Sequence, residues 1–144
     1  MNTIYLLTMK YISTRGKSQN LQFEDVLLTG LAPDGGLYVP KEWPILNHNE
    51  LKNDKYHKIA AEILYPFLDS FVSYDDLIKL TENAYRSFDV EEMAPLVKLE
   101  ENRYILELFH GPTLAFKDFA MLLLAELFDL SLKKRNEKIT IIGA

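Results

Sequence analysis

The run Leu114–Leu132 constrains the fold more than any other segment. Its apolar residues spread over most of a helical circumference, so a helix here is expected to be buried on most sides. Segments of β character flank it, with Arg103–Phe109 ahead and the β-branched run Lys138–Ile142 behind. Strand, helix, strand in that order implies parallel strands joined by a right-handed crossover. Gly143-Ala144 falls where an open α/β sheet carries its ligand loop. So small a sheet with one covering helix leaves a face bare. The chain is therefore expected to be cut short, with an exposed sheet through which it self-associates.

Ahead of this unit the patterning is mostly helical, with short strands. Lys10–Ser13 reads as a strand, and Leu21–Thr29 as a helix closed by Gly30. In Leu31–Pro40, Pro33 suits the second position of a turn, and Gly35-Gly36 supply positive φ. Leu37, Tyr38 and Val39 then favour a strand. Asp54–Asp69 places Tyr56, Ile59, Ile63, Leu64 and Phe67 on one stripe, with Pro66 expected to kink or divide the helix. Ser73-Tyr74-Asp75-Asp76 resembles a capping box that opens another helix. Leu96–Leu99 and Arg103–Phe109 are two strands joined by a polar turn. A soft boundary is expected near Met93.

Composition excludes several function classes. A net charge of −5 leaves no basic footprint for nucleic acid, and Lys133-Lys134-Arg135 suit the negative end of a helix. No segment has the length or flanks of a membrane span or a secretory signal. The chain has no cysteine, which fits a cytoplasmic location and excludes thiolate ligands and nucleophiles. His48, His57 and His110 lack metal-ligand spacing, so no metal is expected.

The chemistry concentrates in Glu107–Phe119. A strand delivers the chain to His110, Gly111-Pro112 turn it, and Thr113 suits the N-cap of the following helix. Lys117 then lies in or just beyond the first turn. The helix dipole and apolar Leu114, Phe116 and Phe119 disfavour its ammonium form, whereas Asp118 favours it. A lysine that loses its proton readily is an amine nucleophile and proton shuttle. Taken by itself, Lys117 more simply fits a side chain snorkelling past an apolar helix, and His110 a hydrogen-bonded loop residue.

His110–Phe119, reading H-G-P-T-L-A-F-K-D-F, resembles the cofactor-lysine motif of threonine synthases. Thr29–Pro40, T-G-L-A-P-D-G-G-L-Y-V-P, resembles that family's amino-terminal signature. Met9–Gly16, M-K-Y-I-S-T-R-G, is similar to its usual start, which makes residues 1–8 an extension. The three matches keep the family's order and span Met9–Ala144.

The resemblance implies a fold-type II enzyme dependent on pyridoxal 5'-phosphate. Residues 1–92 correspond to the amino-terminal domain, and 93–144 to the truncated strand-helix-strand start of the cofactor-binding α/β domain. The implied reaction converts O-phospho-L-homoserine and water to L-threonine and phosphate. Lys117 is the implied Schiff-base lysine and base for the α-proton. Phe116 and Asp118 orient it, while His110 and Thr113 line the pocket. Family members are several times longer, so the chain alone is expected to be inactive. Two alternatives are a phospho-amino-acid lyase resembling threonine synthase and a non-enzymatic remnant that self-associates. A third is an unrelated α/β binding module.

Overall fold

The computed structural model describes residues 8–47, 51, 55–88 and 90–142. Most of the expected extension, His48, Asp54 and the closing Gly143-Ala144 lie outside the described residues. The elements in chain order are β1 (Tyr11–Ser13), α1 (Phe23–Thr29), β2 (Tyr38–Pro40), α2 (Tyr56–Leu68), α3 (Tyr74–Tyr85), β3 (Leu96–Glu100), β4 (Arg103–Leu106) and α4 (Asp118–Arg135). They form two compact units, up to Ile78 and from Lys79, with the division inside α3. The mixed α/β composition agrees with the expected fold class.

In the first unit β1 and β2 pair antiparallel, with Ile12 opposite Val39. α1 ends where Gly30 turns to φ 71 and donates its N–H to Val26. Buried Tyr11 links strand to helix: its hydroxyl donates to the Phe67 carbonyl at 2.9 Å, and its ring lies 6.1 Å from Phe23. Burial, with Asp69 adding, pushes the Tyr11 pKa up to about 12. Phe23 in turn packs against Phe71, and Ala61, Leu68 and Leu77 complete the core. Pro66 lies inside α2 without dividing it; the helix runs on to Leu68. A proline removes one donor, and so close to the helix end that loss breaks little of the ladder. At the start of α3 the Asp76 N–H donates to Ser73 Oγ, whose hydroxyl donates to the Asp76 carboxylate. That satisfies an otherwise orphaned helix donor.

The loops 13–18 and 33–36 are locked together. Ser13 Oγ donates to Asp34 Oδ1 at 2.7 Å, while the Gly36 and Lys17 N–H groups donate to the same carboxylate. Gly35 takes φ 77, as a turn after Pro33 requires, but Gly36 has no positive φ. The second glycine answers a different need. A Cβ on Gly36 would fall 2.2 Å from Ser13 Oγ. So of the paired glycines only one supplies an unusual backbone angle; the other gives room for the Ser13–Asp34 bond.

In the second unit β3 and β4 form an antiparallel hairpin turned by Asn102 at φ 64, with an irregular register between Lys98 and Glu100. Thr81, Ala84, Tyr85, Phe88, Leu123 and Leu127 are buried there. α4 is less enclosed than its composition predicts. Its buried residues Leu123, Leu127 and Ser131 recur every fourth position, one narrow stripe, while Met121 is exposed. Asn136 closes it at φ 52, with the 136 and 137 N–H groups donating to Lys133 and Leu132 as in a Schellman motif. Lys133, Lys134 and Arg135 occupy its last turn, as expected. The run Lys138–Ile142 carries strand-type residues, but its described residues belong to no strand, because a strand exists only through a hydrogen-bonded neighbour.

The Ser13 hydroxyl, then the Gly36 and Lys17 N–H groups, outweigh desolvation and pull the Asp34 pKa from 3.8 down to about 2. A depressed carboxylate pKa contributes stability that is present above the unfolded value and lost as pH falls through the folded one. Asp34→Asn is therefore expected to lower the thermal midpoint at pH 7, with the gap to wild type closing between pH 4 and pH 2. Thermal denaturation of both proteins across that range checks it. A gap independent of pH would show that the charge is irrelevant.

Candidate functional site

β4 ends at Leu106, and the Glu107 N–H still donates to the Pro95 carbonyl, which anchors the exit of the hairpin. His110 then sits half-buried, its Nε2 2.7 Å from Glu107 Oε2. Its ring centroid is 4.7 Å from that of Phe109. Glu107 as the partner of His110 was not read from the sequence. Spacing of three residues pairs side chains reliably only in a helix, and residues 107–110 are not helical.

Between Gly111 and Lys117 the chain makes consecutive turns. Leu114 takes φ 58, a left-handed angle that costs a residue with a Cβ about 1 kcal/mol or more. Its N–H donates to the Gly111 carbonyl at 3.0 Å. This break moves the start of α4 to Asp118, so Thr113 is not its N-cap; Lys117 is, at φ −63 and ψ −21. The first N–H groups are satisfied by tight turns, Asp118 to Ala115 O, Phe119 to Phe116 O and Ala120 to Lys117 O.

Thr113 instead bonds the Asp118 side chain. Its N–H donates to Oδ2 at 2.9 Å and its hydroxyl to Oδ1 at 2.5 Å. Asp118 is 4% exposed, an unusual burial for a carboxylate that these bonds make tolerable. The Thr113 hydroxyl, then the Thr113 and Ala115 backbone groups, hold the carboxyl below its ordinary pKa against the opposing effect of desolvation. Gly111 packs directly on this carboxylate. A Cβ there would lie 2.4 Å from Oδ2 and 2.6 Å from the Asp118 Cβ.

Lys117 itself faces solvent, and among the described residues its side chain forms no hydrogen bond or ion pair. Phe116 and Leu114, expected to shield it, are 65% and 74% exposed. The first turn of α4 is held from the other side. The Tyr85 hydroxyl donates to the Phe119 carbonyl at 3.0 Å, and the rings of Phe88 and Phe119 lie 5.0 Å apart. The residues expected at the site therefore divide into a hydrogen-bonded pair (exposed Thr113 with buried Asp118), a paired histidine (His110 with Glu107) and two exposed side chains (Phe116 and Lys117).

A separate open cleft of about 770 Å³ lies in the first unit, between Lys17, Asp25, Asp34 and Tyr38. It includes none of residues 110–118, and Asp34 there is already spent on the loop lock. Among the described residues no group of His, Asp or Glu is arranged to hold a metal ion. None of the described helices is long and apolar enough to cross a membrane.

Comparison with known proteins agrees with the motif. Residues 10–85, more than half of the chain, match the family described as threonine synthase N terminus. The chain is 48% identical over 139 residues to threonine synthase of Pseudomonas aeruginosa, which covers 94% of this chain and 30% of that protein. Identity to threonine synthase of Corynebacterium glutamicum is 44% over 146 residues, with the same coverage of 94% and 30%. Among solved structures, that described as PLP-bound threonine synthase from Brucella melitensis matches with a TM-score of 0.86 and 44% identity. The match covers 90% of this chain and 29% of that one. The chain spans about 30% of the length of the relatives it matches.

Since only glycine leaves space for the Asp118 carboxylate, Gly111→Ala is expected to open the loop and destabilise the second unit by about 1–3 kcal/mol. Denaturant unfolding and amide exchange at Thr113 check it. Unchanged protection would show that the loop absorbs the methyl group.

Proposed function

Because the chain belongs to the threonine synthase family, we propose that it forms the amino-terminal part of an enzyme that converts O-phospho-L-homoserine and water to L-threonine and phosphate. Its cofactor on this reading is pyridoxal 5'-phosphate, in a fold-type II enzyme of the cytoplasm. One observation carries the residue assignment: Lys117 is an exposed amine at the end of a loop whose backbone is fixed on both sides.

The residues present fit covalent attachment of an aldehyde cofactor. Lys117 Nζ is accessible and has no competing partner among the described residues. The cofactor's own contribution, once bound, is to take up the negative charge left when the substrate's α-proton departs. On this reading Lys117 Nζ, when free, is the base that moves that proton. His110 Nε2 is held by Glu107, which fixes the ring and leaves the other nitrogen as its unspent polar atom. The N–H groups of Asp118, Phe119 and Ala120 are taken by carbonyls and offer no cradle for a phosphate. Turnover is accordingly assigned to the complete enzyme, in which residues 1–92 form the amino-terminal domain and 93–144 begin the cofactor domain. The 144 residues alone are expected to be inactive.

The test is to incubate the chain with pyridoxal phosphate, reduce with borohydride and map the labelled lysines. Lys117 is expected to carry more label than Lys98, Lys133 or Lys134, and Lys117→Ala to abolish that excess. Uniform labelling would remove the residue assignment.

A second reading, self-association of this chain, has its own support in the hairpin. Leu96, Val97, Leu99, Tyr104, Ile105 and Leu106 are all exposed, which leaves apolar side chains in solvent on both faces of the hairpin, the kind of surface that mediates association. Sedimentation across a hundredfold range of concentration, about as wide as an equilibrium of this kind needs, is expected to show a rising mean mass. Ile105→Lys is expected to reduce that rise. A constant monomer would end this reading.

A further inference from the structure

We propose that Asp118 and Thr113 are positioning residues for Lys117, forming a part-buried clasp that fixes the backbone from Gly111 to Lys117 and so sets where the lysine amine is presented. The inference rests on Lys117 being the attachment lysine. It assigns Thr113 to the scaffold and not to the pocket lining that its place in the motif implies.

Both oxygens of the Asp118 carboxylate are spent within the loop, on the Thr113 N–H and hydroxyl. Among the described residues no ion pair joins Asp118 to Lys117. The acid thus makes no direct contact with the lysine amine and reaches it through the main chain. Thr113 and Asp118 are five residues apart and close a ring over the segment that contains Lys117. Inside that ring the left-handed Leu114 and its bond to the Gly111 carbonyl leave the backbone one path. On the far side the Lys117 carbonyl accepts from the Ala120 and Met121 N–H groups, which fixes it to α4. Only the lysine's own side-chain torsions stay free. Holding the backbone in advance removes part of the entropy that attachment would otherwise cost.

The clasp also depends on charge. An ionised carboxylate accepts both bonds, whereas an amide at 118 keeps one acceptor and turns a donor toward a donor. Thr113→Ser retains the hydroxyl, and Thr113→Val removes it with little change of shape.

The experiment uses the full chain and the same labelling with pyridoxal phosphate and borohydride, read as the share of label on Lys117. Circular dichroism first establishes a temperature at which each variant is folded. Asp118→Asn and Thr113→Val are expected to lower the Lys117 share roughly tenfold, the scale of one charge-assisted hydrogen bond. Thr113→Ser is expected to keep it. Amide exchange at Leu114–Lys117 is expected to rise in the first two variants and not in the third. A purely structural clasp would shift the unfolding midpoint and leave the share unchanged, which would overturn the inference; Thr113→Val decides it if Asp118→Asn does not fold. No preference for Lys117 in the wild-type chain would remove the attachment reading and this inference together. A wild-type preference kept in both variants would remove the inference alone.

Discussion

Burial of the Asp118 carboxylate is the constraint on which the motif loop depends. A charged group taken out of water must find its hydrogen bonds nearby, and here the nearest donors are the N–H and hydroxyl of Thr113. Meeting that demand pulls residues 113 and 118 together and forces Leu114 into a left-handed angle. It also puts Gly111 where no side chain fits. The start of α4, and with it Lys117 at the N-cap, follows from this closure. Helix propensity alone would have begun the helix earlier, since Leu114, Ala115 and Phe116 impose no break of their own.

The same physical solution appears in the first unit. Asp34 accepts from the Ser13 hydroxyl and from two backbone N–H groups, and Gly36 leaves the room that the serine needs. In each case an aspartate accepts from a hydroxyl residue, and a glycine leaves the room that the bond needs. The segments M-K-Y-I-S-T-R-G and T-G-L-A-P-D-G-G-L-Y-V-P look like two separate signatures in the sequence. In the fold they are the two halves of one lock, with β1 and β2 paired beside it. Serine, aspartate and glycine there answer a packing and hydrogen-bonding demand of the fold itself.

Exposure divides the second unit into what is settled locally and what is not. One stripe of α4 is covered, while Met121 and the whole hairpin β3–β4 keep large apolar side chains in solvent. Alternate residues of the two strands are apolar on both faces, with Leu96 opposite Leu106 and Val97 opposite Ile105. Such patterning belongs to strands enclosed on both sides in an α/β sheet. The local sequence thus specifies an environment richer in neighbours than the described residues provide. The Lys138–Ile142 run shows the same mismatch, being strand-like in composition and unpaired in structure.

The sequence by itself determined the elements whose causes are local. The Gly30 helix end, the Ser73–Asp76 cap, the Asn102 hairpin turn and the cluster of cations closing α4 follow from side chains within a few residues of one another. The order of three motifs was equally legible, and with it the family and Lys117 as the residue to watch. Tertiary structure decided what depends on partners distant or irregular in the chain. It made Gly36 a matter of space and not of φ, gave His110 to Glu107, turned Thr113 away from capping and toward Asp118, and left Phe116 in solvent. Each of these rests on which polar group reaches which other group first. That choice is set by close packing and by the cost of an unsatisfied buried charge, and no periodicity in the chain records it.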